Sequence, residues 1–558
     1  MLRRFNTNNT KTDHEKNFLS ADRCSGHIGK HLSLSPIRAI GRDEDSGLFW
    51  IYPYAEAPHT PRINGAKVYG ARPGSDFLYK VAATGDRPMT FSAEKLPKGL
   101  KIDSQTGLIT GKVKKAGTYI VTLKATNSLG EATREFRIVI GEKIALTPPM
   151  GWNSWNCWGN TVSHEKVMAS AKAILESGLA NYGWSYINID DGWQGLRGGK
   201  ENAIQPNAKF PDMKGMVDSL HAMGFKVGIY SGPWVATYAA HIGTQCDNAD
   251  GTYEWVKKGL VNENYRMVDP SGELTREKLW YSGKYSFAAQ DARQWAEWGF
   301  DYLKYDWNPH DWYSMKEMHD ELEKCGRDIV YSLSNSALLP LADEYVKYAN
   351  CWRTTGDIRD SWKSISGIGF GRNSSWAPYS GPGHWPDGDM LVIGNVGWGR
   401  KYHYTNLTPD EQYTHITLWA MQASPLLIGC DMAVADKFTK SLLCNNEVID
   451  INQDPLGYAA TKIYGNSSYA TYFKPLEDGS LAIAMFNLSE KPQKIGFTPR
   501  AIGVIGNKIT VRDVWRQKDV AEITNDRNRF DTEVPPHGVV LVRVFPGFTK
   551  ERPVGSRR

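Results

Sequence analysis

No stretch of this 558-residue chain reaches 18 consecutive apolar residues, which excludes a membrane-spanning helix. Cysteine is sparse as well. The seven cysteines, at positions 24, 157, 246, 325, 351, 430 and 444, form no CxxC pair and no zinc-type spacing, so a zinc site of that kind is not expected. Their odd number excludes a fully paired disulfide framework and leaves room for a single bridge. An excess of charge of either sign is also lacking. With 66 Lys and Arg against 61 Asp and Glu, the net charge is only +5, and the basic residues are dispersed except at the two termini, which argues against a nucleic-acid partner or an anionic membrane. The first 35 residues are polar and lack the apolar core of a signal peptide. Either the protein stays inside the cell, or this N-terminus hides or replaces an export signal.

Aromatic residues are plentiful. The 20 Trp and 27 Tyr exceed what a core requires. Most fill a large interior, while those in loops are flat amphipathic rings suited to stacking on sugar faces. The length suggests roughly three or four structural units. Residues 1–59 read as an irregular or disordered lead. From 60 to 142, short segments of period two (77–81, 89–91, 118–125, 133–140), broken by Gly and Pro, predict a small β-sandwich. This stretch resembles the Ig-like modules found beside many exported bacterial enzymes, and it carries no aromatic triplet that would mark a sugar-binding face, so a spacer role is expected. From 143 to 457 strand-like segments (149–155, 186–191, 226–230, 302–306, 329–333, 351–355, 383–386, 425–429) alternate with helical patterns such as 165–175 and 343–348. Eight such units predict a (β/α)8 TIM barrel, and no glycine-rich dinucleotide turn follows the first strand to suggest a doubly wound sheet. Residues 458–548 return to alternation (469–473, 481–487, 538–544) and predict a C-terminal antiparallel β-sandwich; 549–558 is a basic tail.

Polar residues gather at the ends of the expected barrel strands, where barrels carry their chemistry. Asp190 and Asp191 end the second, Tyr230 the third, and Lys304 and Asp306 the fourth; Arg353 and Asp357 lie on and just after the sixth, and Asp387 and Asp389 after the seventh. One carboxylate at a strand end is as readily the N-cap of the next helix. Carboxylates at successive ends are not explained that way. Several Asp and one Lys without His fit either a metal site or a glycosidase. Lys304, two residues before Asp306 and so on the same face of its strand, opposes a hard cation and favours a sugar site. There, one carboxylate attacks the anomeric carbon and a second shuttles the proton, and Lys304 is expected to help keep Asp306 ionised.

Several segments then carry a specific resemblance. They are 149–155 (PMGWNSW), 189–193 (IDDGW), 228–230 (GIY), 303–306 (LKYD), Trp352-Arg353 with Asp357-Ile358, 383–395 around His384-Trp385 and Asp389-Met390, and 451–457 (INQDPLG). In this order, across roughly 150–545, they resemble glycoside hydrolase family 27, the α-galactosidases and α-N-acetylgalactosaminidases. The resemblance implies that Asp306 is the nucleophile and Asp357 the acid/base. It implies that Asp190 and Asp191 bind the sugar's 4- and 6-hydroxyls, and that Tyr230, Lys304 and Arg353 line the pocket. Trp155 would lie against the sugar ring or else pack in the core, and Asp389 would support the site from beneath. No metal or organic cofactor is implied; the partner is a carbohydrate.

Three departures from the family pattern matter. Trp307 and Asn308 stand where many members have the cysteine of a disulfide, so that bridge is not expected. The segment 231–283 is longer than in the lysosomal members and rich in aromatics, which suits the shaping of sites for the aglycone. After the fifth strand, Ser334 and Ala337 occupy the positions at which members acting on N-acetylgalactosamine have Ser and Ala in place of a galactose-reading Glu, although the neighbouring Trp-Pro of the family is missing. The expectation is a retaining exo-α-galactosidase. The alternatives are an α-N-acetylgalactosaminidase, a catalytically silent carbohydrate-binding protein, and more distantly a β-L-arabinopyranosidase, from which the intact Asp190 separates it. The Ig-like module suits a periplasmic or secreted location.

Overall fold

The computed structural model describes residues 56–548, together with the backbone of the short antiparallel pair Gly41–Arg42 and Phe49–Trp50. Almost all of the irregular lead and the whole basic tail lie outside the described residues. A first sandwich is built from a four-stranded sheet (Val68–Ala71, Thr90–Glu94, Gly117–Asn127, Gly130–Ile140) and a three-stranded sheet (Asp76–Lys80, Leu100–Ile102, Leu108–Lys112). Alternation decides which side chains meet between the sheets. Val121, Leu123, Ala125, Phe136 and Ile138 point inward against Phe77 and Ile109.

The middle of the chain forms one eight-stranded parallel sheet: β1 (Met150–Asn153), β2 (Tyr186–Asn188), β3 (Lys226–Ser231), β4 (Tyr302–Asp306), β5 (Val330–Ser334), β6 (Cys351–Arg353), β7 (Trp385–Asp387) and β8 (Leu426–Ile428). Its order is β7-β6-β5-β4-β3-β2-β1-β8, so the first seven strands pair in sequence and the first also lies beside the last. The sheet is curled. Its strands are buried almost throughout, because helices such as His164–Glu176, Met213–Ala222, Ala288–Trp298 and Trp312–Lys324 cover the outer face. Between β7 and β8 a bridge forms just past the end of β7: Leu391 N donates to Leu427 O at 2.7 Å and Leu391 O accepts from Gly429 N at 3.0 Å.

The first strand is shorter than its sequence suggests. It ends at Asn153, whose side-chain oxygen accepts from Trp155 N at 2.9 Å, while Ser154 takes helical dihedrals, so Trp155 opens the helical turn Trp155–Trp158. A side chain that competes for backbone donors ends the strand here.

A six-stranded sheet and the pair Gln493–Phe497 with Phe530–Val534 make the C-terminal sandwich, around Ile483, Phe497, Val511 and Val544. Both sandwiches lean on the middle of the chain. The first is tied through Arg72 and Ser75 to Asp328, and the last through Trp515 Nε1 to Thr417 Oγ1 and Arg512 to Glu447.

Candidate active site

Asp306 is the last residue of β4 and is buried. Strand register sets its neighbours. Tyr230 of β3 pairs with Lys304 and Ser334 of β5 with Asp306, and residues two apart on a strand share a face, so Lys304 and Asp306 enter the interior together. The Tyr230 hydroxyl donates to Asp306 Oδ2 at 3.0 Å, and the Asn335 side-chain amide donates to Oδ1 at 2.5 Å. Lys304, Ser334 and Arg353 line a single small cavity inside the curl, together with Asn153, Asp387 and Asp389.

Lys304 does not pair with Asp306. Its ammonium lies 2.7 Å from Asp190 Oδ2, which also accepts from the Asn153 side chain at 2.9 Å. Burial works against the Lys304 charge, but Asp190 and Asp306 outweigh it and hold the group protonated well above its ordinary range. The reverse balance holds at Asp306. Its carboxyl is pushed up to about 7, chiefly by burial; Asp357 and Asp190 add to the rise, and Lys304 and Arg353 oppose it. The expectation that Lys304 keeps Asp306 ionised is therefore right in sign and too small in size.

Asp357 is the exposed member of the pair, with 45 % of its side chain accessible. Burial raises it, but Arg353, 3.3 Å away, and Lys304 hold it below the usual carboxylate range. Arg353 also reaches Asp389 Oδ2 at 2.8 Å, and Asp389 accepts from the backbone of Ile358 at 2.8 Å and Met390 at 2.7 Å. Asp389 thus fixes Arg353 and the chain beside Asp357. Asp387, at the end of β7, is raised by burial to about 6.

Asp191 is held by the long segment between β3 and the next helix. Thr237 Oγ1 donates to Asp191 Oδ1 at 2.9 Å and Ala239 N to Oδ2 at 2.8 Å; burial raises this carboxyl to about 6. Trp155 is half-buried at the head of its helical turn. Ser334 is buried with its hydroxyl unpartnered, whereas Ala337 is half-buried and hydrogen-bonds through its backbone N to Arg353 O at 2.8 Å. Cys246 is a free thiol, donating to Thr252 O at 3.0 Å. Among the described residues no cluster of His, Cys, Asp or Glu is arranged to hold a metal ion.

Three contacts escape sequence reasoning. Asn335 reaches Asp306 because Asn335 and Ser336 both take positive φ (72° and 36°), reversing the chain after β5. Asn tolerates that region better than most residues, which is the only signal the sequence offers. Thr237 meets Asp191 from a loop 46 residues further along, and Asn153 meets Asp190 across β1 and β2.

The Asp306 shift predicts a pH effect on stability. An unfolded Asp titrates near 4. The folded value is higher, so the group supports folding fully below the unfolded pKa, and that support is lost as pH rises through about 7. Asp306→Asn removes the cost of the buried charge. Its unfolding free energy should match the parent's below about pH 4 and exceed it increasingly between about pH 4 and 7, by up to roughly 4 kcal/mol, with the melting temperature rising in step. A pH-independent difference, read by calorimetry, would refute the buried-charge account.

Residues 147–256 and 253–454 match the family model described as Alpha galactosidase A, residues 466–544 match the alpha galactosidase C-terminal beta sandwich domain, and residues 60–141 match an Ig domain. Alpha-galactosidase 3 of Arabidopsis thaliana is 33 % identical over 439 residues, 76 % of this chain and 88 % of the relative. Alpha-N-acetylgalactosaminidase of Gallus gallus is 30 % identical over 431 residues, 72 % of this chain and 94 % of the relative. The crystal structure of alpha-galactosidase I from Mortierella vinacea aligns with a TM-score of 0.60 at 27 % identity, over 73 % of this chain and 99 % of that one. Motifs, sheet order and matched spans agree: the chain belongs to the alpha galactosidase A family, glycoside hydrolase family 27.

Proposed function

We propose that this protein is a retaining exo-glycosidase that releases terminal α-D-galactosyl residues from oligosaccharides or polysaccharides through a covalent glycosyl-Asp306 intermediate. One observation carries the reading. Asp306 is a buried strand-end carboxylate with a donor on each oxygen, close enough to Asp357 for their charges to interact.

In the first step an Asp306 oxygen bonds to the anomeric carbon as the bond from that carbon to the leaving oxygen breaks, and the Asp357 proton passes to that oxygen. In the second, Asp357 takes a proton from water, the water oxygen bonds to the anomeric carbon, and Asp306 is freed. In the open pocket the two carboxyls titrate in the opposite order to these jobs. Substrate reverses this. A leaving group seated on Asp357 strips water from its exposed side chain and raises its pKa, while positive charge developing on the sugar favours an ionised Asp306. Once Asp306 is glycosylated its charge is gone, so Asp357 becomes easier to ionise and better suited to act as base.

Asp190, fixed by Lys304 and Asn153, and Asp191, fixed by Thr237 and Ala239, retain lone pairs for sugar hydroxyls. Tyr230 and Asn335 orient the nucleophile, and Trp155 offers a ring face. With this reading goes a complete (β/α)8 barrel, supported by the bridge from Leu391 to Ile428 across the sheet's two edges. Unit bounds of 60–142, 143–457 and 458–548 and a periplasmic or secreted location are part of the same proposal; the Ig-like module supports the location.

A second reading, α-N-acetylgalactosaminidase, is favoured by Ser334, whose buried hydroxyl has no partner, and by the small Ala337. Against it, the Asn335 amide between them is drawn to Asp306, beside the anomeric carbon, and takes up room an acetamide would need. On p-nitrophenyl α-galactoside and p-nitrophenyl α-N-acetylgalactosaminide, kcat/KM should favour the galactoside by about tenfold or more, the equivalent of one good contact. Preference for the acetamido sugar would transfer the assignment to the second reading. NMR should find the α-anomer of the sugar released first; the β-anomer first would sink the covalent mechanism.

A further inference from the structure

The Asp357 side chain is too exposed to be placed by its own burial, so its position depends on the stretch of chain that carries it. Four successive residues of that stretch are tied. Asp357 meets Arg353, Ile358 N donates to Asp389 Oδ2 at 2.8 Å, and the Arg359 guanidinium lies over the Trp398 ring, 5.1 Å from its centroid. Asp360 is held hardest. It is buried, and its Oδ2 accepts from Asn406 N and Asn406 Nδ2, both at 2.8 Å, and from His403 Nε2 at 3.1 Å. His403 Nδ1 in turn donates to Lys401 O at 2.8 Å. Each ring nitrogen thus faces an oxygen that can only accept, so the ring carries both protons and its contact with Asp360 is an ion pair.

These donors stand on a hairpin between β7 and β8, in which Asn395–Val396 pairs antiparallel with His403–Tyr404. Its tip is sewn to the helical turn Trp155–Trp158. Gly397 N and Trp398 N both donate to Asn156 O at 2.9 Å, Gly399 N donates to Cys157 O at 3.3 Å, and the Tyr402 ring stacks on Trp158 with centroids 6.0 Å apart. The approach is so close that a Cβ on Gly159 would sit 2.5 Å from Trp398 O. One hairpin therefore joins the turn that presents Trp155 to the stretch that carries Asp357. The mechanism above uses neither Asp360 nor His403.

We propose that Asp360, clamped by His403 and Asn406, is a positioning residue that sets Asp357 at the reach needed to protonate the leaving oxygen. This rests on the assignment of Asp357 as acid/base. Proton transfer demands hydrogen-bond reach, and a misplacement of about 1 Å can cost roughly 10²-fold. Removing the Asp360 carboxylate would strand the Asn406 and His403 donors, and the chain must move for water to reach them. Asp360 is three residues from Asp357, so that movement is felt at the acid.

The test compares kcat/KM, which covers the steps up to departure of the leaving group, on an α-1,6-linked galactosyl-glucose disaccharide and on α-galactosyl fluoride. The glucosyl oxygen needs a proton from Asp357 and fluoride does not. Asp360→Ala should lower the disaccharide-to-fluoride ratio roughly 10- to 100-fold. Asp360→Asn, which keeps an acceptor for the Asn406 donors, should hold the ratio within about threefold of the parent. In an Asp357→Ala background no acid remains to be placed, so adding Asp360→Ala should move the ratio by less than about threefold. A merely structural role would lower both rates alike and leave the ratio unmoved in Asp360→Ala, which overturns the inference; so would an undiminished effect in the Asp357→Ala background. Should Asp360→Ala fail to fold, His403→Leu, at the half-buried end of the ion pair, carries the same comparison: a fall of at least about threefold is expected, and an unmoved ratio overturns the inference. If the parent enzyme cleaves neither substrate, or if Asp357→Ala leaves the ratio unmoved, the proposed function fails in its acid/base assignment and takes this inference with it. If Asp357→Ala lowers the ratio and Asp360→Ala does not, only the inference fails.

Discussion

Asp306→Asn is expected to lower kcat/KM on α-galactosides by about 10⁵-fold or more, the scale on which loss of a covalent nucleophile is felt. The substitution is nearly isosteric. The Tyr230 hydroxyl can still donate to the new carbonyl, and the Asn335 amide needs only to turn, so the pocket should keep its shape. What is lost is the charge and the nucleophile, hence the only route to a glycosyl-enzyme. KM should therefore change little while kcat collapses, and a slow substrate that traps the intermediate on the parent enzyme should leave no added mass on the variant. A variant retaining more than about a tenth of the parent kcat would remove Asp306 from the mechanism. The melting behaviour described above separates this result from misfolding, because the same variant should be at least as stable as the parent at neutral pH.

Asp357→Ala should show a different signature. Leaving oxygens of high basicity need a proton, and losing a positioned general acid costs about 10² to 10⁴-fold, so an unactivated disaccharide should be almost inert. Fluoride departs without that proton. On α-galactosyl fluoride, formation of the glycosyl-enzyme should survive while its hydrolysis, deprived of the base, becomes limiting; a burst followed by a slow steady state is expected. Azide needs no base to attack, so adding it should relieve the slow phase and give α-galactosyl azide, with retained configuration. Equal losses on both substrates and no azide product would mean that Asp357 only supports Arg353. That alternative has a basis, since Arg353 bridges Asp357 and Asp389.

Much of this site is legible one strand at a time. Asp306 follows an aromatic strand, Lys304 shares its face by period two, and Asp190 closes the run of β2; such features depend on a few adjacent residues, so patterning exposes them. Trp155 is a partial exception. The sequence places it as the last residue of the first strand, but the Asn153 side chain ends the strand two residues earlier and Trp155 opens a helical turn instead.

By itself, the sequence determined the alternation of strands and helices, the sandwiches on either side, and the carboxylates at the strand ends, because hydrophobic period and turn chemistry act over a few residues. Only the tertiary structure decided which partner each charge received. Lys304 went to Asp190, 114 residues away, rather than to the neighbour two positions on, and two left-handed residues swung Asn335 onto Asp306. The long segment delivered Thr237 and the backbone of Ala239 to Asp191. Burial, which no window of sequence measures, lifted Asp306 to about 7 against the pull of Lys304. The physical reason is common to all of these: electrostatic and hydrogen-bond energies depend on distance and on exclusion of water, and both are fixed by how the sheet curls rather than by the order of residues along it.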